Sequence, residues 1–317
     1  RKGAKIVGLL ERTGLGKPHT FREHESLDEL RSSCRERNLS LLSSLREDKN
    51  AKFLLDQMHA EWKLGRMTEP ILVDDVDLDE NLIARRFSVD QGIKKDGSKK
   101  LRGCDDETSN GTNPCCEAQE KLVNDHVDAF MSLIAILTTI FGCVPMLWKA
   151  DIDSAYRRIP VFPGHRFLLW VAIVLGDQTW VARHNACCFG ATASVHAWNR
   201  IGALLCHIAV KIFHIPLLRY VDDYFCADHP DNAEHSMQCF ARVVRAMLGS
   251  SSINNDKLQF GMPLDILGVT VNATPRYIFA WPSVDKVEKW RACIVQALET
   301  RRLTAGEAGK LAGRLSW

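Results

Sequence analysis

The 317-residue sequence has little net charge and lacks the cysteine spacing of zinc-binding or disulfide-stapled domains. Its eleven cysteines include no C-x-x-C pair, and His184 with Cys187 and Cys188 has no second pair at zinc spacing, so we interpret these as core or surface residues. The irregular spacing favours a reducing, intracellular compartment, the cytoplasm or the nucleus. Because 41 basic side chains are offset by 39 acidic ones, affinity for polyanions has to come from local patches.

Continuous apolar runs of membrane-spanning length are missing as well. One uncharged stretch covers residues 129–148, but Gly142 and Pro145 interrupt it, and proline disfavours a helix that continues through it. We expect a buried helix over residues 125–141, then a turn, and then a strand from Met146. The chain is not expected to associate with a membrane.

The remaining composition is that of an ordinary globular protein, with 46% hydrophobic and 25% charged residues. Periodicity predicts strands clustered in the middle of the chain and helices around them, so the expected fold class is α+β. The Asp96-Gly97 pair indicates a hairpin with a lysine-rich tip. Ser283 and the pair Thr304 and Glu307 are expected to cap two helices near the C-terminal end. Strands are predicted over residues 146–161, 167–175, 178–189, 216–228, 258–260 and 266–271.

Aspartates lie where strand-forming residues would otherwise continue. Asp222 and Asp223 separate the segments LLRYV and YFC, and Asp151 and Asp153 follow the apolar segment VPMLW. Aspartate is a poor strand residue and is costly to bury without a partner. The period of two places Asp151 and Asp153 on one strand face. The alternative for each aspartate is a turn or strand-end residue that faces water.

Neighbouring strands that carry Asp151, Asp222 and Asp223 would bring three carboxylates together. Such a cluster is stabilised by hard divalent cations, and Mg²⁺ binds few carboxylates together with substrate phosphates. Two such ions can activate a 3′-hydroxyl and stabilise a leaving pyrophosphate. The sequence therefore predicts the chemistry of a polymerase with two Mg²⁺ ions, or alternatively Mn²⁺, as cofactor.

The segments ADIDSAYRRIPV, FGATASVHAW and YVDDYF resemble motifs of reverse transcriptases, in particular those of LTR-type and DIRS-type retroelements. Further segments agree in order, namely RRFSVDQG, KLRGCDDETSNGTN, NNDKLQF, DILGVTV and GKLAGRLSW. The resemblance covers residues 64–317 and implies a right-hand polymerase with fingers, an antiparallel-sheet palm and an incomplete helical thumb. It divides the chain into a helical extension of unknown role (1–63), fingers and palm (64–272) and the start of a truncated thumb or connection (273–317).

By this resemblance, Asp151, Asp222 and Asp223 are the catalytic residues and hold the metal ions together with the backbone of Ile152. Asp222 is expected to be the surer direct ligand, because adjacent strand residues point to opposite faces. Tyr156 matches the steric gate that excludes the 2′-hydroxyl of ribonucleotides, which implies selectivity for deoxynucleotides. The alternative for Tyr156 is a core aromatic residue.

Further positions are implied to bind the incoming dNTP and the primer. The backbone that follows Asp151 passes beneath the triphosphate, Arg102 reaches the phosphates, and Lys257 matches a lysine proposed to protonate the pyrophosphate. The alternatives are a salt bridge from Arg102 to Asp105 or Asp106 and a plain loop position for Lys257. The implied dNTP-binding residues are Arg102, Asp153, Ser154, Ala155, Tyr156, Phe189, Gly190 and Lys257, and the implied primer grip is Leu267 and Gly268.

The resemblance implies an RNA-directed DNA polymerase that is part of a retrotransposon polyprotein. The expected partners are an RNA or DNA template with its primer, dNTPs, and an RNase H domain further along a longer protein. One alternative is a decayed or domesticated relative that binds nucleic acid without polymerising, and the presence of all three carboxylates and Tyr156 favours the active enzyme. Tyr156 also disfavours an RNA-templated RNA polymerase.

Overall fold

A computed structural model describes residues 2–19, 25–93 and 97–315 of the chain. The chain forms two compact units, each assembled from two segments. Unit 1 consists of residues 1–123 and 154–204, and unit 2 consists of residues 124–153 and 205–317. The functional boundaries expected after residues 63 and 272 stay predictions.

The strands and helices are named here in chain order. The first are β1 (Gly8–Leu10), β2 (Lys17–Pro18), α1 (Leu27–Ser32), α2 (Cys34–Ser44), α3 (Ala51–Lys63), β3 (Ile71–Leu72), β4 (Ile83–Ile93), β5 (Lys99–Asp105), β6 (Cys116–Ala118) and β7 (Glu120–Lys121). They are followed by α4 (Val127–Phe141), β8 (Met146–Asp151), β9 (Trp170–Leu175), β10 (Gln178–Arg183) and α5 (Thr192–Ile212). The last are β11 (Leu217–Tyr220), β12 (Asp223–Asp228), α6 (Ala233–Leu248), β13 (Leu258–Phe260), β14 (Leu264–Ile266), β15 (Val269–Ala273), β16 (Ile278–Pro282), α7 (Val284–Thr300) and α8 (Ala305–Leu315).

Unit 1 is built around a mixed sheet with the strand order β3-β10-β9-β4-β5. Strands β4 and β9 run parallel, and the other neighbours are antiparallel. Helix α3 packs on this sheet through Leu54 and Met58, which lie four residues apart and so on one side of the helix. Both side chains are fully buried in a cluster with Val171 and Ala182. Burial of each stabilises the fold by roughly 1.5–3 kcal/mol.

The hairpin predicted around Asp96-Gly97 is present as the antiparallel pairing of β4 with β5. Residues 94–96, which include two of the predicted tip lysines, lie outside the described residues. Lys99 begins β5 and is exposed. The register pairs Arg86 with Asp105 and places Arg102 three residues earlier on the same strand, an arrangement that the site below depends on.

Unit 2 contains the antiparallel sheet β11-β12-β8-β13 and the smaller antiparallel sheet β14-β15-β16. Helix α4 contributes Phe130, Ile134 and Leu137 to one buried cluster, at the spacing of a single helix face. The same cluster contains Leu147 of β8 and Phe225 of β12. The rings of Phe130 and Phe225 meet edge to face, with centroids 5.2 Å apart, which fixes the helix against the two strands that carry the candidate site.

The uncharged stretch over residues 129–148 is divided between α4 and β8, as the sequence predicts. Gly142 ends α4 in the left-handed conformation, with φ of 67°, where glycine has no Cβ penalty. Among the helices that the structure describes, none combines the length and the apolar character needed to cross a bilayer.

The predicted strand over residues 167–175 begins later, at Trp170, and those over 216–228 and 266–271 are each divided by a turn. Two other strands end earlier than the sequence predicts. The predicted strand over residues 146–161 ends at Asp151, because the chain turns at Ser154 (φ 55°) and continues in a short 3-10 helix over Ala155–Arg158. The predicted strand over residues 178–189 ends at Arg183. Beyond it, the N–H groups of Asn185 and Cys187 donate to the carbonyl oxygens of Arg66 and Ile159 instead of to residues next to β9, so the ladder is interrupted.

The two predicted helix caps differ in outcome. For α8 the capping box is confirmed, because the Glu307 N–H donates to Thr304 Oγ1 at 3.3 Å and the Thr304 N–H donates to the Glu307 carboxylate at 2.9 Å. Ser283 occupies the N-cap position of α7, but in the described part of the chain its side chain makes no capping hydrogen bond. Its carbonyl oxygen instead accepts from the first turn of the helix.

Candidate functional site

Two of the predicted site aspartates are direct neighbours in unit 2. Asp151 is the last residue of β8, Asp223 is the first residue of β12, and the antiparallel register pairs them. Residues paired directly across an antiparallel ladder have Cβ atoms about 4.5–5.5 Å apart on the same face. The two carboxyl groups therefore lie side by side where the strands end.

The turn between β11 and β12 consists of Val221 and Asp222 and has a constrained backbone. Val221 has φ of 55°, a left-handed conformation that a β-branched residue rarely adopts and that costs about 1–3 kcal/mol. The Val221 N–H donates to Asn124 Oδ1 at 3.3 Å, and the Val221 carbonyl oxygen accepts from Arg219 at 2.9 Å. The Ile152 N–H donates to the Asp222 carbonyl oxygen at 3.3 Å. These bonds hold Asp222 against the end of β8.

Lys257 completes the polar group around the paired aspartates. It lies immediately before β13, which pairs with β8 on the side opposite to β12. Its Nζ is 2.5 Å from Asp151 Oδ2, and this hydrogen bond raises the pKa of Lys257. Lys257 is exposed, as the alternative of a loop lysine expects, and its ammonium group is bound to one of the predicted catalytic carboxylates. Its catalytic role stays a prediction.

Negative charge is concentrated at this end of the sheet. Burial raises the pKa of Asp223 to about 6, and the carboxylates of Asp222 and Asp151 act in the same direction. Carboxylates held close together are the donor set that hard divalent cations bind. Asp151 and Asp223 are two neighbouring carboxylates of this kind, and the Lys257 ammonium is bound to Asp151 Oδ2. A Mg²⁺ site that includes Asp222 as well stays a prediction.

A cleft of about 1270 Å³ extends from these carboxylates within unit 2. Asp151 and Asp223 line one part of it, and Leu267, Gly268 and Lys286 line another. Leu267 and Gly268 both have positive φ, 52° and 77°. Lys286 Nζ donates to the Leu267 carbonyl oxygen at 3.2 Å, and a Cβ on Gly268 would lie 2.2 Å from Lys286 Cε. The predicted primer-grip residues thus share a cleft with the carboxylates.

Lys149 lines the same cleft and was missed by the sequence analysis. Its Nζ donates to the Asp265 carbonyl oxygen at 2.5 Å. Burial lowers the pKa of Lys149, and the carboxylates of Asp265, Asp223 and Asp151 oppose that shift. A signal was present in the sequence, because Lys149 is the one lysine in the strand segment MLWKAD and lies two residues before Asp151, on the same strand face.

Unit 1 contains a second group of predicted site residues, which is aromatic. The ring centroids of Tyr156 and Phe189 are 5.3 Å apart and the rings are nearly perpendicular, and Trp198 packs against Tyr156 at 6.4 Å. The guanidinium carbon of Arg102 lies 4.7 Å from the Phe189 ring centroid. Among the described residues, the alternative salt bridge from Arg102 to Asp105 or Asp106 is not present, and Asp105 pairs with Arg86 instead.

Gly190, which follows Phe189, lies directly on the backbone of Asp105. A Cβ at Gly190 would come within 1.9 Å of the Asp105 carbonyl oxygen, and φ at this position is 118°. The Asp105 N–H donates to the Phe189 carbonyl oxygen at 3.0 Å, and Asn113 Nδ2 donates to the Gly190 carbonyl oxygen at 2.8 Å. Only glycine fits here, because the end of β5 and the 189–190 segment are in backbone contact.

A buried group near this contact, Asp105, His184 and Cys188, has side-chain ligand atoms within 4.8 Å of one another. The group does not fit a cation, because both ring nitrogens of His184 are engaged, Nε2 with Asp105 at 2.9 Å and Nδ1 with Arg157 at 3.0 Å. The guanidinium groups of Arg86 and Arg157 also supply positive charge at this place. His184 and Cys188 are core residues, which is one of the two placements expected from the sequence.

The predicted site residues are divided between the units. Unit 2 holds Asp151, Ile152, Asp153, Asp222, Asp223, Lys257, Leu267 and Gly268, and unit 1 holds Arg102, Ser154, Ala155, Tyr156, Phe189 and Gly190. The expectation that Asp153 shares a strand face with Asp151 is wrong, because β8 ends at Asp151. The N–H groups of Ile152 and Asp153 are engaged with the Asp222 and Ser252 carbonyl oxygens, and their role toward a triphosphate stays a prediction.

Comparison with known proteins was made at the level of sequence and of structure. No family model matches the sequence, and no curated protein matches it. Among solved structures, the chain is similar to a foamy viral protease-reverse transcriptase in complex with double-stranded DNA, with a TM-score of 0.58 and 12% sequence identity. The chain has a reverse-transcriptase-like fold. The likeness covers 86% of this chain and 41% of the viral one, and at this identity it concerns the fold alone.

Proposed function

We propose that the chain is an RNA-directed DNA polymerase that adds deoxynucleotides to the 3′-hydroxyl of a primer. The observation that carries the proposal is the direct pairing of Asp151 with Asp223 beside the constrained turn at Asp222. The reverse-transcriptase-like fold and the motifs around these residues support it. In this proposal unit 1 carries the fingers, the antiparallel sheet of unit 2 is the palm, and the helices after Ser283 belong to the thumb.

The three aspartates would hold two Mg²⁺ ions, or Mn²⁺ in their place, with the backbone of Ile152 beside them. When bound, the ions supply Lewis acidity that makes the primer hydroxyl more acidic and neutralises charge on the pyrophosphate. The chain contributes a rigid arrangement of carboxylates, because the β8-β12 register fixes Asp151 and Asp223 and the hydrogen bonds of Val221 fix Asp222. The preference for Asp222 as the surer direct ligand stays a prediction.

The proposed step forms one bond and breaks another. The 3′-oxygen of the primer attacks the α-phosphorus of the dNTP, the bond from that phosphorus to the oxygen bridging to the β-phosphate breaks, and pyrophosphate leaves. The hydroxyl proton is released to water, and Lys257, held beside Asp151, donates a proton to the pyrophosphate. General acid catalysis of this kind contributes typically about 10²–10⁴-fold in rate.

Selection of the nucleotide is assigned to the aromatic group of unit 1. Arg102 lies over Phe189, and its guanidinium fork suits bidentate contact with phosphate. Tyr156 packs between Phe189 and Trp198, so its ring has a fixed position and can exclude a 2′-hydroxyl by steric contact. The backbone at Ser154 and Ala155 is assigned to the triphosphate. We therefore expect incorporation of dNTPs in preference to rNTPs.

The cleft of unit 2 is assigned to the primer. Three lysines line it, namely Lys149, Lys257 and Lys286. Leu267 and Gly268, which have positive φ, line it as well, together with the carboxylates of Asp151 and Asp223. Contacts between lysines and phosphates make nucleic-acid binding dependent on salt. The proposed context is a retrotransposon polyprotein, with an RNA or DNA template as partner and an RNase H domain further along the protein.

Primer extension tests the proposal. The substrate is a poly(rA)/oligo(dT) duplex with dTTP and Mg²⁺, and the variant is Asp222→Asn, which keeps the size of the side chain and removes its charge. We expect extension by the wild-type chain, loss of extension with EDTA, and loss of extension in the variant. UTP in place of dTTP measures the sugar selectivity in the same assay.

Two outcomes would contradict the proposal. Extension by Asp222→Asn at the wild-type rate would show that the reaction does not depend on this carboxylate. Duplex binding that weakens with salt, without extension by the folded wild-type chain, would instead indicate a relative that binds nucleic acid and no longer polymerises.

A further inference from the structure

A buried ionic chain in unit 1 ends at the strand that carries Arg102. Asp105, the last residue of β5, is 4% exposed. Its Oδ1 accepts from Arg86 at 2.5 Å and its Oδ2 contacts His184 Nε2 at 2.9 Å. Burial opposes ionisation, but Arg86 and His184 outweigh it and lower the pKa of Asp105 to about 2. The carboxylate is therefore ionised and held from two sides.

The protonation of His184 follows from its partners. Arginine has only hydrogen-bond donors, so His184 Nδ1, 3.0 Å from Arg157 Nη1, is the accepting nitrogen of the ring; it shares the two Nη1 hydrogens with the Ala186 and Cys187 carbonyl oxygens. Because Nδ1 is the acceptor, the ring proton is on Nε2, which donates to Asp105. Burial lowers the pKa of His184 to about 4, and the positive charge of Arg157 acts in the same direction. His184 is thus a neutral ring that joins a cation to an anion.

Arg157 is itself tied to the surrounding backbone. It donates to the carbonyl oxygens of Ala186 at 3.0 Å and Cys187 at 2.9 Å, and it pairs with Glu61 of α3 at 2.8 Å. The ionic chain therefore runs from helix α3, through Arg157 and His184, to the end of β5. It also passes along the 184–187 segment that leads to Phe189.

Asp105, at the β5 end of this ionic chain, fixes the contact between Arg102 and Phe189. The Asp105 N–H donates to the Phe189 carbonyl oxygen, and the Asp105 carbonyl oxygen lies against Gly190. Arg102 is three residues earlier on the same strand and lies over the Phe189 ring at 4.7 Å. A shift of Asp105 would therefore move the guanidinium group relative to the ring.

We propose that His184 is a positioning residue for the incoming nucleotide: its two hydrogen bonds hold Asp105 in place, and Asp105 sets the relative position of Arg102 and Phe189. The expected effect on dNTP affinity rests on the proposed function. His184 itself is 1% exposed, so its side chain is not open to a substrate. A buried polar chain of this kind favours one geometry more than it adds stability, which is what a nucleotide platform requires.

Three variants of the full chain test the inference. His184→Leu removes both hydrogen bonds, and His184→Gln keeps one acceptor and one donor in a side chain of similar reach. His165→Leu is the matched control, because His165 is a half-buried histidine of unit 1 whose Nδ1 accepts from the Ile6 N–H, away from Asp105. The kinetic readouts are KM for dTTP and kcat in primer extension.

Hydrogen exchange at the Asp105 amide gives a readout that does not need polymerisation. This amide donates to Phe189, so its exchange reports the contact directly. The tautomer of His184 in the wild-type chain is read from the ¹⁵N shifts of its ring at neutral pH and needs no variant. It therefore tests the inference even if His184→Leu fails to fold.

We expect His184→Leu to raise KM for dTTP by about tenfold or more, which is equivalent to about 1.4 kcal/mol. The kcat should change by less than about threefold, and hydrogen exchange at the Asp105 amide should become faster. His184→Gln and His165→Leu should stay near the wild type. An unchanged KM in an active His184→Leu, unchanged exchange at Asp105, or a ring protonated on Nδ1 overturns the inference. If the wild-type chain does not polymerise and His184→Leu still speeds exchange at the Asp105 amide, the proposed function is overturned. The positioning of Asp105 by His184 is then supported on its own.

Discussion

Asp151 and Asp223 are cross-strand partners, the last residue of β8 facing the first residue of β12. Both strands end at this pair, and the two residues line a cleft. The same end of the sheet receives Lys257 from the other side of β8. One register thus places the two acids and one candidate proton donor in a single polar group.

Replacing Lys257 should separate its two effects on this group. Lys257→Met removes the proposed proton donor, so we expect nucleotide addition to slow by about 10²-fold or more. It also removes the ammonium group that contacts Asp151 Oδ2, so the Mg²⁺ concentration that gives half the maximal rate should stay the same or fall. Single-nucleotide incorporation over a Mg²⁺ titration measures both quantities. Lys211→Met, at the exposed end of α5, is the control, and a variant of Lys257 with the wild-type rate would argue for a purely structural lysine.

Shortening Tyr156 should weaken the discrimination between sugars. Tyr156→Ala removes the ring that we assign to the steric gate, and we expect the preference for dTTP over UTP to fall by about 10–100-fold, equivalent to about 1.4–3 kcal/mol. Tyr156→Phe keeps the ring and should keep the preference. The ratio of kcat/KM for the two nucleotides is the measurement. If Tyr156→Ala lowers only the melting temperature and leaves the ratio unchanged, Tyr156 is a core aromatic residue.

Adding one methyl group at Gly190 should disrupt the contact with Asp105. Gly190→Ala places a Cβ within 1.9 Å of a backbone oxygen at φ of 118°, so we expect a loss of about 3 kcal/mol or more in unfolding free energy. Gly176→Ala is the matched control, because Gly176 also has positive φ (61°) but no atom within 4 Å of the added Cβ, and should cost only about 1 kcal/mol. Denaturant unfolding of both variants checks the difference, and equal losses would show that the backbone contact is loose.

The neutral state of His184 predicts a dependence of stability on pH. Its pKa is about 4 in the fold against about 6.5 when unfolded, so its contribution is fully present above pH 6.5 and is lost as the pH falls toward 4. The stability difference between wild type and His184→Gln should shrink by about 3 kcal/mol over that range. Glu107, a buried acid of this region with a pKa raised to about 8 by burial and by Asp105, is present in both proteins, so its effect cancels. A difference that is constant with pH would show that His184 titrates normally.

Features that depend on local pattern were predictable from the sequence. Apolar segments interrupted by aspartates predicted that Asp151 lies beside Asp222 and Asp223 on neighbouring strands, and the structure pairs Asp151 with Asp223. The capping box at Thr304 and the division of the uncharged stretch by Gly142 also follow from neighbouring residues. The predicted mixture of helices and strands is confirmed, and the chain has a reverse-transcriptase-like fold.

Features that join distant parts of the chain were not predictable. The bond from Lys149 to Asp265 links residues 116 positions apart, and the bond from His184 to Asp105 links residues 79 positions apart. Neither pair belongs to a periodic pattern, because polar contacts between distant segments depend on which strands become neighbours. The end of β8 at Asp151 was missed for a related reason, since Ser154 adopts a left-handed conformation that its residue type does not indicate.

The central claim is that the paired carboxylates perform the reaction, and single-nucleotide incorporation by two matched variants tests it most directly. Asp151→Asn and Asp228→Asn each remove one negative charge from the paired strands β8 and β12. Asp151 lies at the end that carries the proposed site, and Asp228 lies at the opposite end of β12. We expect a loss of about 10³-fold or more in rate for Asp151→Asn and less than about threefold for Asp228→Asn. Both variants should have the circular dichroism spectrum of the wild type. A folded Asp151→Asn that incorporates dTTP at the wild-type rate, or an equal loss in both variants, would contradict the account.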